Sequence, residues 1–511
     1  MKVTLDRVRH VARTRFGIRT LRPEQVEALK AVFAGRDTMA VLPTGYGKSL
    51  IYQVPAVLSD RPTLVISPLI ALMQDQQRGL RARGIPVVRL DSTLRAAERR
   101  ENLARICKGG PLVILTTPET LESTVARPAL LQARPRLLCV DEAHCISEWG
   151  HDFRPSYLRI DVERKSLNIP QVLALTATAT PRVRRDIAAR LGMNTPVEIV
   201  APPHRANLKL SAEIVPGAYK ITRAGELLRR LRRPGIVYCS TKVAVDEIYG
   251  ALIKARIPCA RYHGGMTNDE RTRTLRMYMK SGRRKVMVAT SAFGMGVDKP
   301  DIRYIMHFQV PASMEQYAQE AGRAGRDGRP SHCILLFDPS DLKIQEFLQN
   351  KSRPSPAQLT RVGKALAAWA EQGEPVEPKA LALSAGVPMT TVRSLCTQLE
   401  LGGLIRKERG HGYVSTVEPQ ALRDGVKDLA GRFEIERRQD VRRLRAITEY
   451  VETEDCRSVF IRRWFGEEDP PRCGNCDRCE EHGWRRPSSR RRTRRRGPRR
   501  GRRRGGRRGR S

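Results

Sequence analysis

Thr38-Met-Ala-Val-Leu-Pro-Thr-Gly-Tyr-Gly-Lys-Ser49 is an apolar strand running straight into a glycine-rich turn that ends in a lysine and a hydroxyl. A turn of this kind cradles phosphate. From Thr44 onward, Gly45 and Gly47 let backbone N–H groups approach phosphate oxygens, Lys48 reaches the β and γ phosphates, and the Ser49 hydroxyl suits Mg²⁺. The full pattern has glycine five residues before the Gly-Lys pair, and here that place is Leu42. Alone, the loop also fits ordinary strand-to-helix turn chemistry. About a hundred residues on, Leu137-Leu-Cys-Val140 is apolar, bounded by Pro135 and short, the pattern of a buried strand. Asp141 and Glu142 follow at its carboxyl end, where α/β sheets place their chemistry. Asp141 there can hold Mg²⁺ through water, and Glu142 can orient or deprotonate an attacking water. A nucleotide hydrolase needs both parts, and both are present.

Working outward, strand-like runs at Met39–Leu42, Leu64–Ser67, Leu112–Leu115, Leu137–Val140 and Val172–Leu175 alternate with helical patterns. The alternation resumes at Gly235–Cys239, Lys285–Thr290, Tyr304–Phe308 and Cys333–Phe337. The expectation is α/β, with two parallel-sheet domains (1–200 and 201–340) joined near residues 201 to 216. The second carries no Gly-Lys-Ser. It has Gln319-Glu-Ala-Gly-Arg323-Ala-Gly-Arg326-Asp-Gly328, whose two arginines, three apart, are expected on one helix face. Reaching the first domain's nucleotide from across the cleft, they are candidate arginine fingers, a contribution of about a thousandfold or more in rate.

The formal net charge is +40, and sixteen arginines with no acidic residue lie between Arg485 and Arg510. Basic excess in both body and tail points to a polyanion, most simply nucleic acid, with an acidic membrane surface the weaker competitor. No apolar run approaches the ~18 residues of a transmembrane helix, and Met1 to Gly17 lacks a signal-peptide core. Eleven cysteines, seven of them scattered, fit a reducing compartment.

Residues 141 to 157 continue from the carboxylates into Ser147-Glu-Trp-Gly-His-Asp-Phe-Arg-Pro155, a poor core strand whose aromatics beside arginine suit stacking on single-stranded bases. With Leu21-Arg-Pro-Glu-Gln25, the Thr44 to Ser49 loop, Ser67 to Asp75, Leu175-Thr-Ala-Thr-Ala179, Tyr262 to Met266, Phe293 to Pro300 and Gln319 to Gly328, the chain resembles the RecQ family of superfamily 2, DEAH-box DNA helicases. The resemblance covers about Phe16 to Asp338 and a later cysteine cluster. It implies two tandem RecA-like motor domains and an ATP- and Mg²⁺-dependent helicase moving 3′ to 5′, acting in repair and recombination. Arg22 and Gln25 would recognise adenine, and Asp298, with Gly296 beside it, ribose. Lys48, Ser49, Asp141 and Glu142 would serve phosphate, metal and water. Gln319, Arg323 and Arg326 would act on the transferring phosphoryl group, and His144, Trp149, Phe153 and Arg154 would couple DNA to hydrolysis. Single-stranded and forked DNA are the implied partners, with a monomer in the cytoplasm, nucleoid-associated, or in the nucleus of a eukaryote. The rivals are an RNA helicase and an annealing or architectural protein.

Cys456, Cys473, Cys476 and Cys479 have the spacing C-x16-C-x2-C-x2-C, which suits a closed tetrahedral Zn²⁺ site (module 420–482). The family places a similar module after the second motor domain. Here about 130 residues separate Gly325 from Cys456, and part of the excess reads as its own unit (355–416). Leu359, Val362, Leu366 and Trp369 share a helix face, Lys379 to Ala385 is a short helix, and Thr390 to Leu401 a third. Arg406 to Ser415 is a hairpin wing, completing the order of a winged helix-turn-helix with Thr391 and Arg393 outward. A helical packing module is the alternative. The Arg- and Gly-rich tail (483–511) has a composition that cannot pack a core, and is expected to be a disordered arm for DNA or RNA.

Overall fold

A computed structural model of the 511-residue chain describes residues 3–121, 125–147, 149, 153–280, 285–294, 299–352, 354–408 and 412–485. Chain order gives β1 (Thr38–Val41), β2 (Thr63–Ile66), β3 (Val87–Leu90), β4 (Val113–Thr116), β5 (Leu137–Val140), β6 (Gln171–Thr176) and β7 (Val197–Val200). They form one parallel sheet in the order β3-β4-β2-β5-β6-β1-β7. β1 to β6 are buried throughout, with apolar clusters against both faces, which is why the sequence shows continuous apolar runs there rather than alternation.

The second sheet holds β8 (Leu208–Ile214), β9 (Gly235–Tyr238), β10 (Cys259–Tyr262), β11 (Val286–Ala289), β12 (Tyr304–His307) and β13 (Ser331–Phe337), in the order β10-β11-β9-β12-β13-β8. Four strands were outside the sequence expectation: β3, β7, β8 and β10. β3 carries Arg89 in its interior, tolerated because the guanidinium pairs with buried Asp91 at 2.9 Å. β8 occupies seven of the sixteen residues expected to be a connector. It is an edge strand, half exposed along its length, so its pattern Leu-Lys-Leu-Ser-Ala-Glu-Ile is mixed.

β8 is not left open. Asn475 Nδ2 donates to the Leu208 carbonyl at 3.4 Å, and the Ala212 N–H donates to Asp477 Oδ2 at 3.0 Å. Both side chains come from the cysteine module, which covers the edge and shares one continuous core with the second sheet, from Leu208 through Tyr450 to Cys479.

Between the two lie helices Pro356–Glu371, Pro378–Ala385 and Met389–Leu401, then β14 (Ile405–Glu408) paired antiparallel with β15 (Gly412–Ser415). The helices and hairpin follow the order expected from the sequence, and Val376 adds a bridge to Tyr413. A 34-residue helix, Pro419–Glu452, then runs back to the cysteines. No described helix is long and apolar enough to cross a membrane. Gly296, Asp298 and the tail from residue 486 lie outside the described residues.

Candidate functional site

The phosphate loop is built on two glycines in the left-handed region, Gly45 at φ +79° and Gly47 at φ +81°, a conformation that disfavours any side chain. Lys48 Nζ donates to the carbonyl of Leu42 at 3.1 Å, so the residue that departs from the usual pattern still anchors the lysine through its backbone. Gln25 is buried and its amide donates to the carbonyls of Tyr46 and Gly47 at 3.0 and 3.2 Å, while its Oε1 accepts from the Arg22 N–H. Its amide therefore grips the loop. The Arg22 guanidinium lies over the Tyr46 ring, 4.3 Å from the centroid.

Asp141 and Glu142 follow β5, and Glu142 sits at φ +49°, ψ +46°. A non-glycine residue held there costs about 1–3 kcal/mol and is retained where surrounding contacts enforce it, commonly at functional sites. Tyr157, wholly buried, donates its hydroxyl to the Asp141 carbonyl at 3.2 Å. Burial, then the neighbouring Glu142 charge, push the Asp141 carboxyl up to about 7, with Lys48 pulling the other way. Two carboxylates crowded in this way want a cation. Burial depresses the Lys48 ammonium, opposed by Glu142 and Asp141.

A cleft of about 650 Å³ between the two sheets brings the sequence-derived residues together. Thr44, Gly45, Gly47, Lys48, Ser49, Asp141 and Glu142 line it from the first domain, and Gln319, Arg323 and Arg326 from the second. Arg326 reaches far enough that a Cβ on Gly45 would lie 3.0 Å from its Cγ. The two arginines are not on a helix face. The helix Met314–Ala321 ends before them, and Gly325 (φ +54°) turns the chain between them, with both still facing the cleft.

The DNA-coupling group is less uniform than the sequence implies. His144 is buried, its Nδ1 2.9 Å from Thr176 Oγ1 and 3.3 Å from Glu142 Oε2, so it ties Glu142 to the end of β6. Trp149 is half-buried against the first core, with the Arg182 guanidinium 3.1 Å from its ring centroid. Arg154 lines the nucleotide cleft, and Phe153 lines a second cavity beside it. Gln316 and Glu320, which line both cavities, were missed by sequence reasoning. On their helix only Gln319 was singled out from the sequence.

Cys456, Cys473, Cys476 and Cys479 are all buried, with their sulfurs within 4.8 Å of one another. Sγ separations of 3.5, 3.9 and 4.0 Å bracket the edge of about 3.8 Å that a tetrahedron with Zn–S near 2.3 Å requires. Asp477 Oδ1 accepts from buried Arg457 at 2.6 Å, orienting the turn that carries Cys476 and Cys479.

A phosphate loop facing arginines across two parallel sheets defines a nucleotide-driven motor. Residues 22–187 match the DEAD/DEAH box helicase family, 219–328 the helicase conserved C-terminal domain, and 423–480 the RecQ zinc-binding family. The chain belongs to the RecQ family. It is 35% identical over 469 residues to the ATP-dependent DNA helicase RecQ of Bacillus subtilis, covering 91% of this chain and 66% of that protein. It is 40% identical over 362 residues to the probable ATP-dependent DNA helicase RecS of the same organism, covering 70% of this chain and 72% of that one. In fold it is similar to Mycobacterium smegmatis helicase Lhr bound to ssDNA and AMP-PNP, with a TM-score of 0.53 at 23% identity, over 80% of this chain and 60% of that chain. The cysteine cluster is the family's zinc site, and its geometry fits.

Proposed function

We propose that the chain is an ATP-dependent DNA helicase of RecQ type, which hydrolyses Mg-ATP to move 3′ to 5′ on a single strand and separate duplex, in repair and recombination. The observation that carries this reading is the cleft, which places Lys48, Asp141 and Glu142 opposite Arg323 and Arg326. The Gly45 to Ser49 backbone and Lys48 hold the β and γ phosphates. Mg²⁺, bound at Ser49 and Asp141, would neutralise charge on the phosphate oxygens. Glu142 orients the attacking water and accepts its proton, while Arg323 and Arg326 stabilise charge on the transferring phosphoryl group. Because the arginines belong to the second domain, hydrolysis requires closure, and its products favour opening. Trp149, Phe153 and Arg154 meet the DNA, and the chain works as a monomer.

Lys48→Ala should reduce ATP hydrolysis by at least a hundredfold, and strand displacement with it. The wild type should displace 3′-tailed and forked duplexes, and should be stimulated more by single-stranded DNA than by RNA. Hydrolysis that survives Lys48→Ala sinks the site assignment, and equal stimulation by RNA sinks the substrate.

A further inference from the structure

The long helix Pro419–Glu452 buries two charged residues, Asp440 and Arg443, each under 10% exposed. They pair with each other at 2.8 Å, one turn apart. A buried ion pair adds little net stability over apolar residues of like volume, so core packing is a weak reason for it to be there. What the guanidinium does beyond this pair is specific. Its Nη2 donates to the backbone carbonyl of Trp149, 294 residues earlier in the chain and in the first motor domain. The Trp149 ring is meanwhile covered on one face by Arg182.

The surroundings give that hydrogen bond a consequence. Asp440 and Arg443 border a cavity of about 550 Å³ together with Phe153, Gln316 and Glu320. Gln316 and Glu320 also border the nucleotide cleft, on the helix that delivers Arg323 and Arg326 at its end. Gln316 Nε2 donates to Glu320 Oε1 at 3.0 Å, and Glu320 Oε2 lies 2.9 Å from His307 Nε2, so this wall is fixed by its own hydrogen bonds. Arg443 therefore stands where Trp149, the helix leading to the two arginines and the zinc-module helix converge.

We propose that Arg443, oriented by Asp440, is a positioning residue for DNA-dependent hydrolysis, fastening the main chain at Trp149 to the zinc-module helix so that a strand engaged by the aromatic segment acts on the second domain. The inference rests on the helicase reading above. It assigns the coupling to a contact outside both motor sheets, and makes the zinc module a working part of the motor as well as its brace. Arginine is required because one guanidinium must serve the Asp440 carboxylate and the Trp149 carbonyl together, which a single ammonium on a shorter reach does less well.

The test compares the full-length wild type with Arg443→Ala, Arg443→Lys, Asp440→Asn and Trp149→Ala. ATP hydrolysis is measured without DNA and across a titration of single-stranded DNA, with zinc content and hydrogen exchange of residues 145–155 followed in parallel. Arg443→Ala is expected to keep its zinc and its DNA-free rate, to lose at least tenfold of the stimulation at saturating DNA, and to exchange faster at 145–155. Arg443→Lys should recover part of the stimulation, and Asp440→Asn should fall between. Alanine sustains the helix at position 443, and Asp440→Asn remains a probe should Arg443→Ala not fold. Stimulation within twofold of wild type in Arg443→Ala, with Trp149→Ala defective, overturns this inference and leaves the helicase reading standing. Unchanged exchange at 145–155 overturns it whatever the activity. If the wild type is not stimulated by DNA yet exchange rises in Arg443→Ala, the tether stands and the helicase reading falls.

Discussion

Gly466→Ala separates local strain from motor closure. Gly466 follows the helix Arg457–Trp464 and closes it with two backbone bonds, its own N–H to the Arg463 carbonyl at 2.9 Å and the Glu467 N–H to the Arg462 carbonyl at 3.0 Å. Its φ is +90°, and a side chain there costs about 1–2 kcal/mol from backbone sterics. A Cβ would also lie 2.4 Å from Cγ of Pro181, in the first motor domain, against an ordinary carbon contact of about 3.5–4.0 Å. One of the two must retreat by more than ~1 Å, a strain of about 1–3 kcal/mol for overpacking, and the bond from Arg184 Nη1 to the Phe465 carbonyl, already 3.4 Å, should break. If that strain falls on the closed motor, kcat/KM for ATP drops by about 5- to 150-fold. Pro181→Ala removes the offending carbon without touching the backbone strain. In a double-mutant cycle the second substitution should restore hydrolysis while leaving the thermal midpoint lowered. Deficits in kcat/KM that add within about 0.5 kcal/mol would refute the reasoning, because independent sites add to that accuracy.

Two further outcomes follow from the same structure. The chain should bind one zinc ion, and Cys476→Ser or chelation should remove it and lower the melting temperature of the second motor domain as well as of the cysteine module, since one core serves both; a second domain that melts as before would contradict the shared core. Deleting residues 486–511, where nearly all the tail arginines lie, should flatten the dependence of log DNA affinity on log salt by about 0.9 for each phosphate the tail neutralises, and an unchanged slope would mean the tail does not hold DNA.

The nucleotide cleft was legible because each of its parts carries a local signature. Gly45 and Gly47 announce a backbone that needs φ > 0, Lys48 and Ser49 follow at fixed spacing, and Asp141 and Glu142 stand directly after an apolar run. The cysteines were legible for the same reason. β8 and β10 were not, because an exposed edge strand of mixed polarity lacks the continuous apolar signal of a buried one. The helix face expected for Arg323 and Arg326 failed on glycine: the helix stops at Gly322, and the left-handed turn at Gly325 brings both side chains to the cleft by another route. Trp149 was expected in a loop suited to stacking on bases and His144 only in a coupling role, and the partners that hold them, Arg182 and Thr176, lie more than thirty residues away in sequence. Arg443 was invisible for a stronger reason, since nothing in a helix full of arginines marks the one whose partner is a backbone carbonyl.

The position of the helical and hairpin unit follows from one element. The first half of Pro419–Glu452 gives Leu422, Val426 and Phe433 to that unit's core, and the second half gives Ala446, Ile447, Tyr450 and Val451 to the core shared by the zinc module and the second sheet. At 1.5 Å per residue the helix is about 51 Å long, and neither half can turn without the other. Gly363 lets the helix Pro356–Glu371 meet this long helix closely, because a Cβ there would sit 2.6 Å from Val426. At its far side the unit touches the first motor domain, where Glu400 comes within 3.9 Å of Arg159, just beyond the segment that carries Trp149 and Phe153. The insertion is therefore joined to the second domain through a continuous helix, whereas the Glu400–Arg159 pair by which it meets the first is partly exposed and weak. Opening of the motor must break the weak contact and keep the strong one, so the unit travels with the second domain, and Arg443, on the same helix, travels with it.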